Sequence, residues 1–213
     1  MSVLQAVGGF AVVAGLLTLL PGLDTALVLR AAMTQGRRDA FLTALGIGSG
    51  ALVWGVAAAV GVSALLTAST VAYTVLRVVG AAYMVWLGAR LLVGALRRAP
   101  APADTRAAEQ AAGRSGWQAW RTGLLTNLLN PKIGAFYIAV LPPFIPDGAS
   151  PLAMGLLLAL VHDVLGLVWF ALLILGVGRL RVALQRPRVQ RTVDGVTGSV
   201  LVGFGLRLGL AGR

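Results

Sequence analysis

The sequence predicts an all-α integral membrane protein: six transmembrane helices in a 3+3 inverted repeat, with helices 1 and 4 broken. Three observations lead there. The 213 residues are 58% hydrophobic and only 12% charged, with a mean hydropathy of +0.86, whereas a soluble domain carries about 25% charged residues. Six apolar runs (residues 3–29, 41–66, 70–96, 118–145, 152–177 and 193–210) each reach or approach the roughly 20 residues that span a bilayer as a helix. The connections also alternate in charge. Arg30, Arg37 and Arg38 follow the first run. Arg97, Arg98, Arg106, Arg114 and Arg121 follow the third, and Arg179, Arg181, Arg186, Arg188 and Arg191 the fifth. Connections 67–69 and 146–151 hold no basic residue, and the latter holds Asp147. The positive-inside rule makes the arginine-rich connections cytoplasmic and places both termini outside.

The same distribution decides what the net charge of +11 means. The arginines sit between apolar runs, as topology signals, and not along one face that would track a phosphate backbone, so nucleic acid is not the expected partner. There is no cysteine, hence no disulfide framework. One histidine and seven carboxylates are too scattered for a metal cage, so no metal and no cofactor is expected. Met1–Gln5 has no basic stretch and no clear cleavage site, which argues against a removable signal.

The first run carries Pro21-Gly22 and Asp24. Proline removes a backbone donor and clashes with the preceding turn. A break here frees carbonyls near residues 17–20 and sets a carboxylate beside them, a pocket suited to an ammonium group or cation. A kink with Asp24 near the interface is the plainer alternative. The second run is uniformly apolar, with Gly46 and Gly50 spaced for close helix approach. The third carries Arg77, which either snorkels outward or pairs with a membrane carboxylate, and Gly80 and Gly88. Residues 99–116, opening on Ala-Pro-Ala-Pro-Ala, read as a cytoplasmic linker between two halves, 1–98 and 117–213, of one transporter domain.

The fourth run contains Asn127-Leu128-Leu129-Asn130-Pro131-Lys132. Asn130 is pushed from helical geometry by the proline that follows, and Lys132 puts a charge where hydrocarbon is expected. A half-helix starting at Pro131 should offer free N–H groups and, with Lys132, an anion site. The fifth run places His162-Asp163 near the midplane. A lone buried histidine is most often simply hydrogen-bonded, but a buried carboxylate needs a partner or a proton, so Asp163 is the candidate for proton coupling, with His162 beside it. The sixth run, with Asp194 and Arg207, is the least apolar. Its Gly195 and Gly203 match the spacing of Gly80 and Gly88, and Pro131 answers Pro21. Two halves with an odd number of helices enter the membrane from opposite sides, which makes such a repeat inverted.

Taken together, Leu20-Pro21-Gly22-Leu23-Asp24, the stretch from Arg77 through Gly80-Ala81-Ala82-Tyr83 to Gly88, and Asn127–Lys132 followed by Phe136 and Leu141-Pro142-Pro143-Phe144 resemble the LysE/RhtB family of bacterial amino-acid exporters. Asp163 falls where many members carry an aspartate. Leu23 departs from the pattern, since a second proline is common there. The resemblance implies export of amino acids or related metabolites across the bacterial cytoplasmic (inner) membrane, driven by protons, by a homodimer in the lipid bilayer. In that reading the carboxylate of a zwitterion meets Lys132, its ammonium meets Asp24, and Asn127 and Asn130 orient it. A divalent-cation exporter using Asp24, His162 and Asp163, or a passive channel, are the alternatives. An enzyme is not expected, because no Ser/His or Asp/Asp pairing suits an intramembrane hydrolase.

Overall fold

The structure is a computed structural model that describes residues 1–68, 70–97, 115–176 and 186–210. All of the regular structure described is helical. The greater part of the 99–116 linker lies outside the described residues, as does the side chain of Arg77.

The first run forms two helices, α1 (Val3–Leu19) and α2 (Leu23–Thr34), bent by 55° at the Pro21 break. The fourth does the same: α5 (Gly116–Leu128) and α6 (Pro131–Val140) are separated at Asn130, with a bend of 57°. A single 3-10 turn, Pro142–Phe144, follows α6. The remaining runs form α3 (Arg37–Ala68), α4 (Thr70–Arg97), α7 (Pro151–Leu175) and, last in the chain, α8 (Pro187–Leu210). α3 and α7 are long and apolar enough to cross a membrane, and each bent pair passes the same test as one broken span.

Local chemistry explains where the broken pairs start and stop. Ser2 caps α1 by accepting from the Gln5 amide (3.3 Å), while Gln5 reaches back to the Ser2 N–H (3.0 Å). Ser115 and Gln118 build the same box at the start of α5 (3.4 and 3.0 Å). The linker therefore ends at Ser115, and Gly116, expected in the linker, is already helical. Ser150 caps α7 ahead of Pro151, which suits a first helical position. Gly36, at φ +95, makes the left-handed turn between α2 and α3.

α3 packs against α5 and α7, and α4 lies along α8. These contacts are close because small residues meet in reciprocal pairs. A Cβ added at Gly88 of α4 would stand 2.6 Å from the Gly198 carbonyl, and one added at Gly198 would stand 2.7 Å from the Gly88 carbonyl. Likewise Gly55 of α3 abuts the Ala159 methyl, and Gly155 of α7 abuts the Ala59 methyl. Gly195 and Gly203, expected from spacing to match the third run, meet nothing within 4 Å. Gly198 and Gly205 face α4 instead, because helical periodicity admits only one of these sets to the contact.

Two buried clusters flank the breaks. One joins Phe10 of α1, Phe136 and Tyr137 of α6, Phe144, Leu158 of α7 and Leu201 of α8. Phe10 packs its ring on Phe136 and Phe144, centroids 5.9 and 5.6 Å away. The other joins Val28 of α2, Ala44 and Ile47 of α3 and Phe170 and Leu173 of α7. The cavity described next is lined by members of both.

Candidate functional site

The break after α1 leaves polar backbone inside the bundle. Leu20 N–H bonds to the Leu17 carbonyl (3.2 Å), so that carbonyl is not free as the sequence suggested. The carbonyls of Thr18, Leu19 and Leu20 receive no backbone donor among the described residues, since Pro21 and the extended Gly22 interrupt the helical ladder. Asp24 follows in the first turn of α2.

The break before α6 behaves differently from expectation. Asn130 is the N-cap, and its side-chain oxygen accepts from the Lys132 amide (3.1 Å). The Ile133 and Gly134 amides bond to the Asn130 carbonyl (3.1 and 3.2 Å), and Pro131 has no N–H. The half-helix is thus self-capped. The anion site expected from its free N–H groups is absent, and positive charge comes from the Lys132 ammonium alone.

Across the gap the two breaks meet. Asn127 Nδ2 donates to Asp24 Oδ2 (3.0 Å), and Asn130 Nδ2 reaches Asp24 Oδ1 at the long limit of 3.5 Å. Both asparagines are buried, 2% and 4% exposed, so neither is free to wander. Asn127 Oδ1, pressed against Gly50, is buried without a partner. The two amides, expected to orient a ligand, both reach the Asp24 carboxylate and hold it in place.

Asp24, Asn127, Lys132, His162 and Asp163 line one cavity with about 530 Å³ of space free of protein atoms. The charges of Asp24 and Lys132 are near enough to interact. The Lys132 ammonium stands beside Gly22, where an added Cβ would lie 3.0 Å from Nζ. Thr18, Ile47, Ala51 and Phe170 complete an otherwise apolar wall. Asn130 lies behind Asp24 and outside the lining.

His162 and Asp163 have separate surroundings despite their adjacency. His162 is 8% exposed and its Nδ1 is 3.0 Å from the Tyr137 hydroxyl, so the ring is fixed within the core. Tyr137, fully buried, is a residue that the sequence reading missed. Its only signal was one hydroxyl within an apolar run. Replacing it with phenylalanine strands a buried nitrogen, which costs about 1–3 kcal/mol. A lower unfolding midpoint for purified Tyr137→Phe, with helix content kept, is the expected result.

Asp163 makes no hydrogen bond or ion pair with the described residues. Its carboxylate lies against the Cα of Gly48, where a Cβ would collide with it. Gly48→Ala should therefore displace the carboxylate, at a packing cost of about 1–3 kcal/mol. Export in vesicles should fall on the order of tenfold. A wild-type rate would show that the position of Asp163 is immaterial. Among the described residues no group of three or more His, Cys, Asp or Glu is placed to hold a metal ion.

A family model for the LysE type translocator matches residues 16–212. The chain belongs to the LysE family. It is thus a membrane transporter and not an enzyme, and both breaks and the cavity lie within the matched residues. This LysE-type chain is 31% identical to the threonine efflux protein of Escherichia coli (strain K12), over 88% of this chain and 89% of that protein. It is 30% identical to the leucine efflux protein of Klebsiella pneumoniae, over 89% and 88%. It is 26% identical to the membrane protein YrhP of Bacillus subtilis (strain 168), over 93% and 96%. No solved structure matches the chain.

Proposed function

We propose that the chain exports neutral amino acids from the cytoplasm by exchange for protons, and that the cavity between the two breaks is the substrate site. The observation that carries this is the juxtaposition of opposite charges at the breaks. A free amino acid is a zwitterion. Asp24, held by Asn127 and Asn130, faces its ammonium together with the carbonyls left unpaired before Pro21. Lys132 faces its carboxylate. Asp163, in the same cavity and without a hydrogen bond or ion pair to the described residues, is the group that exchanges a proton. The efflux proteins named above support the substrate class, and the apolar remainder of the wall suits an uncharged side chain.

Six spans in two inverted halves are the architecture that suits this reading. Its support is the pair of similarly bent spans, each opening on a Ser-x-x-Gln box, and the reciprocal contacts Gly88–Gly198 and Gly55–Ala159 with Gly155–Ala59. Rocking one half against the other would open the cavity to each side in turn. The charge bias puts the Gln35–Gly36 turn and the linker in the cytoplasm and both termini outside.

The test is counterflow in proteoliposomes with a panel of labelled amino acids, with and without a pH gradient. Saturable exchange of a neutral amino acid, accelerated uphill by the gradient, is expected. Flux that never saturates would favour a channel. Saturable exchange indifferent to the gradient would remove the proton.

A further inference from the structure

A second chamber, with about 1270 Å³ of space free of protein atoms, lies on the other side of Lys132. Leu20 and Lys132 line both cavities and so form the partition between them. The outer wall of the second chamber comes from α4, with Tyr83, Trp86 and Arg90. Its rings form a continuous platform: Tyr83 and Trp86 have centroids 5.8 Å apart, and the Arg90 guanidinium stands 5.5 Å from the Trp86 centroid.

Arg90 lies seven residues before Arg97, the end of α4, or about 10 Å along the helix. An arginine that merely sought water would extend toward that nearby end. Arg90 lies over Trp86, one turn deeper, on the side toward which helical side chains ordinarily lean, and the ring contact holds it there. A cation–π contact uses the ring face and none of the guanidinium's N–H donors for a hydrogen bond. Arg90 has no hydrogen bond or ion pair among the described residues, so those donors are available. Arg90 thus stands in the outer wall of the chamber and Lys132 at its inner end; with the buried Asp194 of α8, which has interactions of its own, the lining described holds two cations and one carboxylate.

We infer that this chamber is a loading vestibule for carboxylate-bearing solutes, in which the carboxylate rests on Arg90 before passing to Lys132. It deepens the proposed function, and rests on it for the solute being an amino acid. Arg90 and Gly94 lie toward the cytoplasmic end of α4 on the charge-based topology, the side from which an exporter must load.

The chain has no cysteine, so single cysteines report cleanly. Ala135→Cys and Gly94→Cys both line the second chamber and not the first. At Gly94 an added Cβ meets nothing within 4 Å, so this variant guards against misfolding at Ala135. Inverted membrane vesicles expose the cytoplasmic face to an anionic sulfonate and to a cationic trimethylammonium methanethiosulfonate reagent. Both cysteines should react faster with the anionic reagent, and Arg90→Gln should remove most of that preference while Arg90→Lys keeps it. In transport, Arg90→Gln should raise the half-saturating substrate concentration roughly tenfold or more, the equivalent of one charge-assisted hydrogen bond, without lowering the maximal rate. Cysteines unreactive from the cytoplasmic face, or a charge preference indifferent to Arg90, would overturn the vestibule. Labelling needs no transport, so a protein that labels as expected but moves no amino acid would sink the functional reading instead.

Discussion

Lys132→Met is expected to abolish amino-acid export while leaving the protein inserted and folded. Methionine keeps the length and apolar stem of lysine, so packing beside Gly22 and Leu20 is preserved. What is lost is the cation proposed to face the substrate carboxylate. Removing one partner of a buried charge pair costs roughly 3–5 kcal/mol, or about two to three and a half orders of magnitude in affinity. The loss falls twice here, since Asp24 also loses its counter-charge. Lys132→Arg keeps the charge but sets a bulkier, planar head beside Gly22, so it should recover export only in part. The check is export from loaded vesicles, with membrane insertion measured separately. A properly inserted Lys132→Met that exports at the wild-type rate would end the role given to this residue.

Asp163→Asn should separate exchange from pumping. The amide is nearly isosteric with the carboxylate, so the contact with Gly48 and the cavity shape survive. No proton is carried by an amide. Uphill export driven by a pH gradient should vanish, while exchange of internal for external amino acid, which needs no net proton movement, should persist. Measuring both in the same proteoliposomes distinguishes a coupling group from a binding group. If gradient-driven accumulation survives, the proton travels elsewhere, and His162, fixed to Tyr137 at 3.0 Å, becomes the next group to replace.

Much of this architecture was legible in the chain because hydrocarbon admits so few solutions. Apolar runs of spanning length become helices, and α3, α4 and α7 start and stop within a few residues of the expected runs. Proline within a run marks a break, as at Pro21 and Pro131, because it removes a donor that nothing in lipid replaces. The matching Ser-x-x-Gln boxes at residues 2–5 and 115–118 were equally legible and were overlooked. They announce that the two broken spans begin alike.

The site was less legible, because its contacts join residues more than a hundred positions apart. Asp24, Asn127, Asn130 and Lys132 could be singled out as polar groups too costly to be idle in lipid. Which of them touch is set by helix packing. The asparagines turn inward to Asp24, and the amides at the start of α6 turn back to Asn130, contacts that no spacing in the chain announces. Gly48 was invisible in the sequence among 28 glycines. Only the position of the Asp163 carboxylate singles it out. The glycines of the α4–α8 crossing were equally hidden. Gly195 and Gly203 match by spacing, yet Gly198 makes the crossing.

The central claim is that one cavity holds both ends of a zwitterion between the two breaks. Competition tests it most directly. Counterflow of a labelled neutral amino acid is measured in proteoliposomes against three unlabelled competitors with the same side chain: the free amino acid, its N-acetyl derivative and its amide. The first keeps both charges, the second lacks the ammonium assigned to Asp24, and the third lacks the carboxylate assigned to Lys132. The account predicts competition by the free amino acid alone. Equal competition by either blocked derivative would contradict it, since one of the two charged poles would then be dispensable.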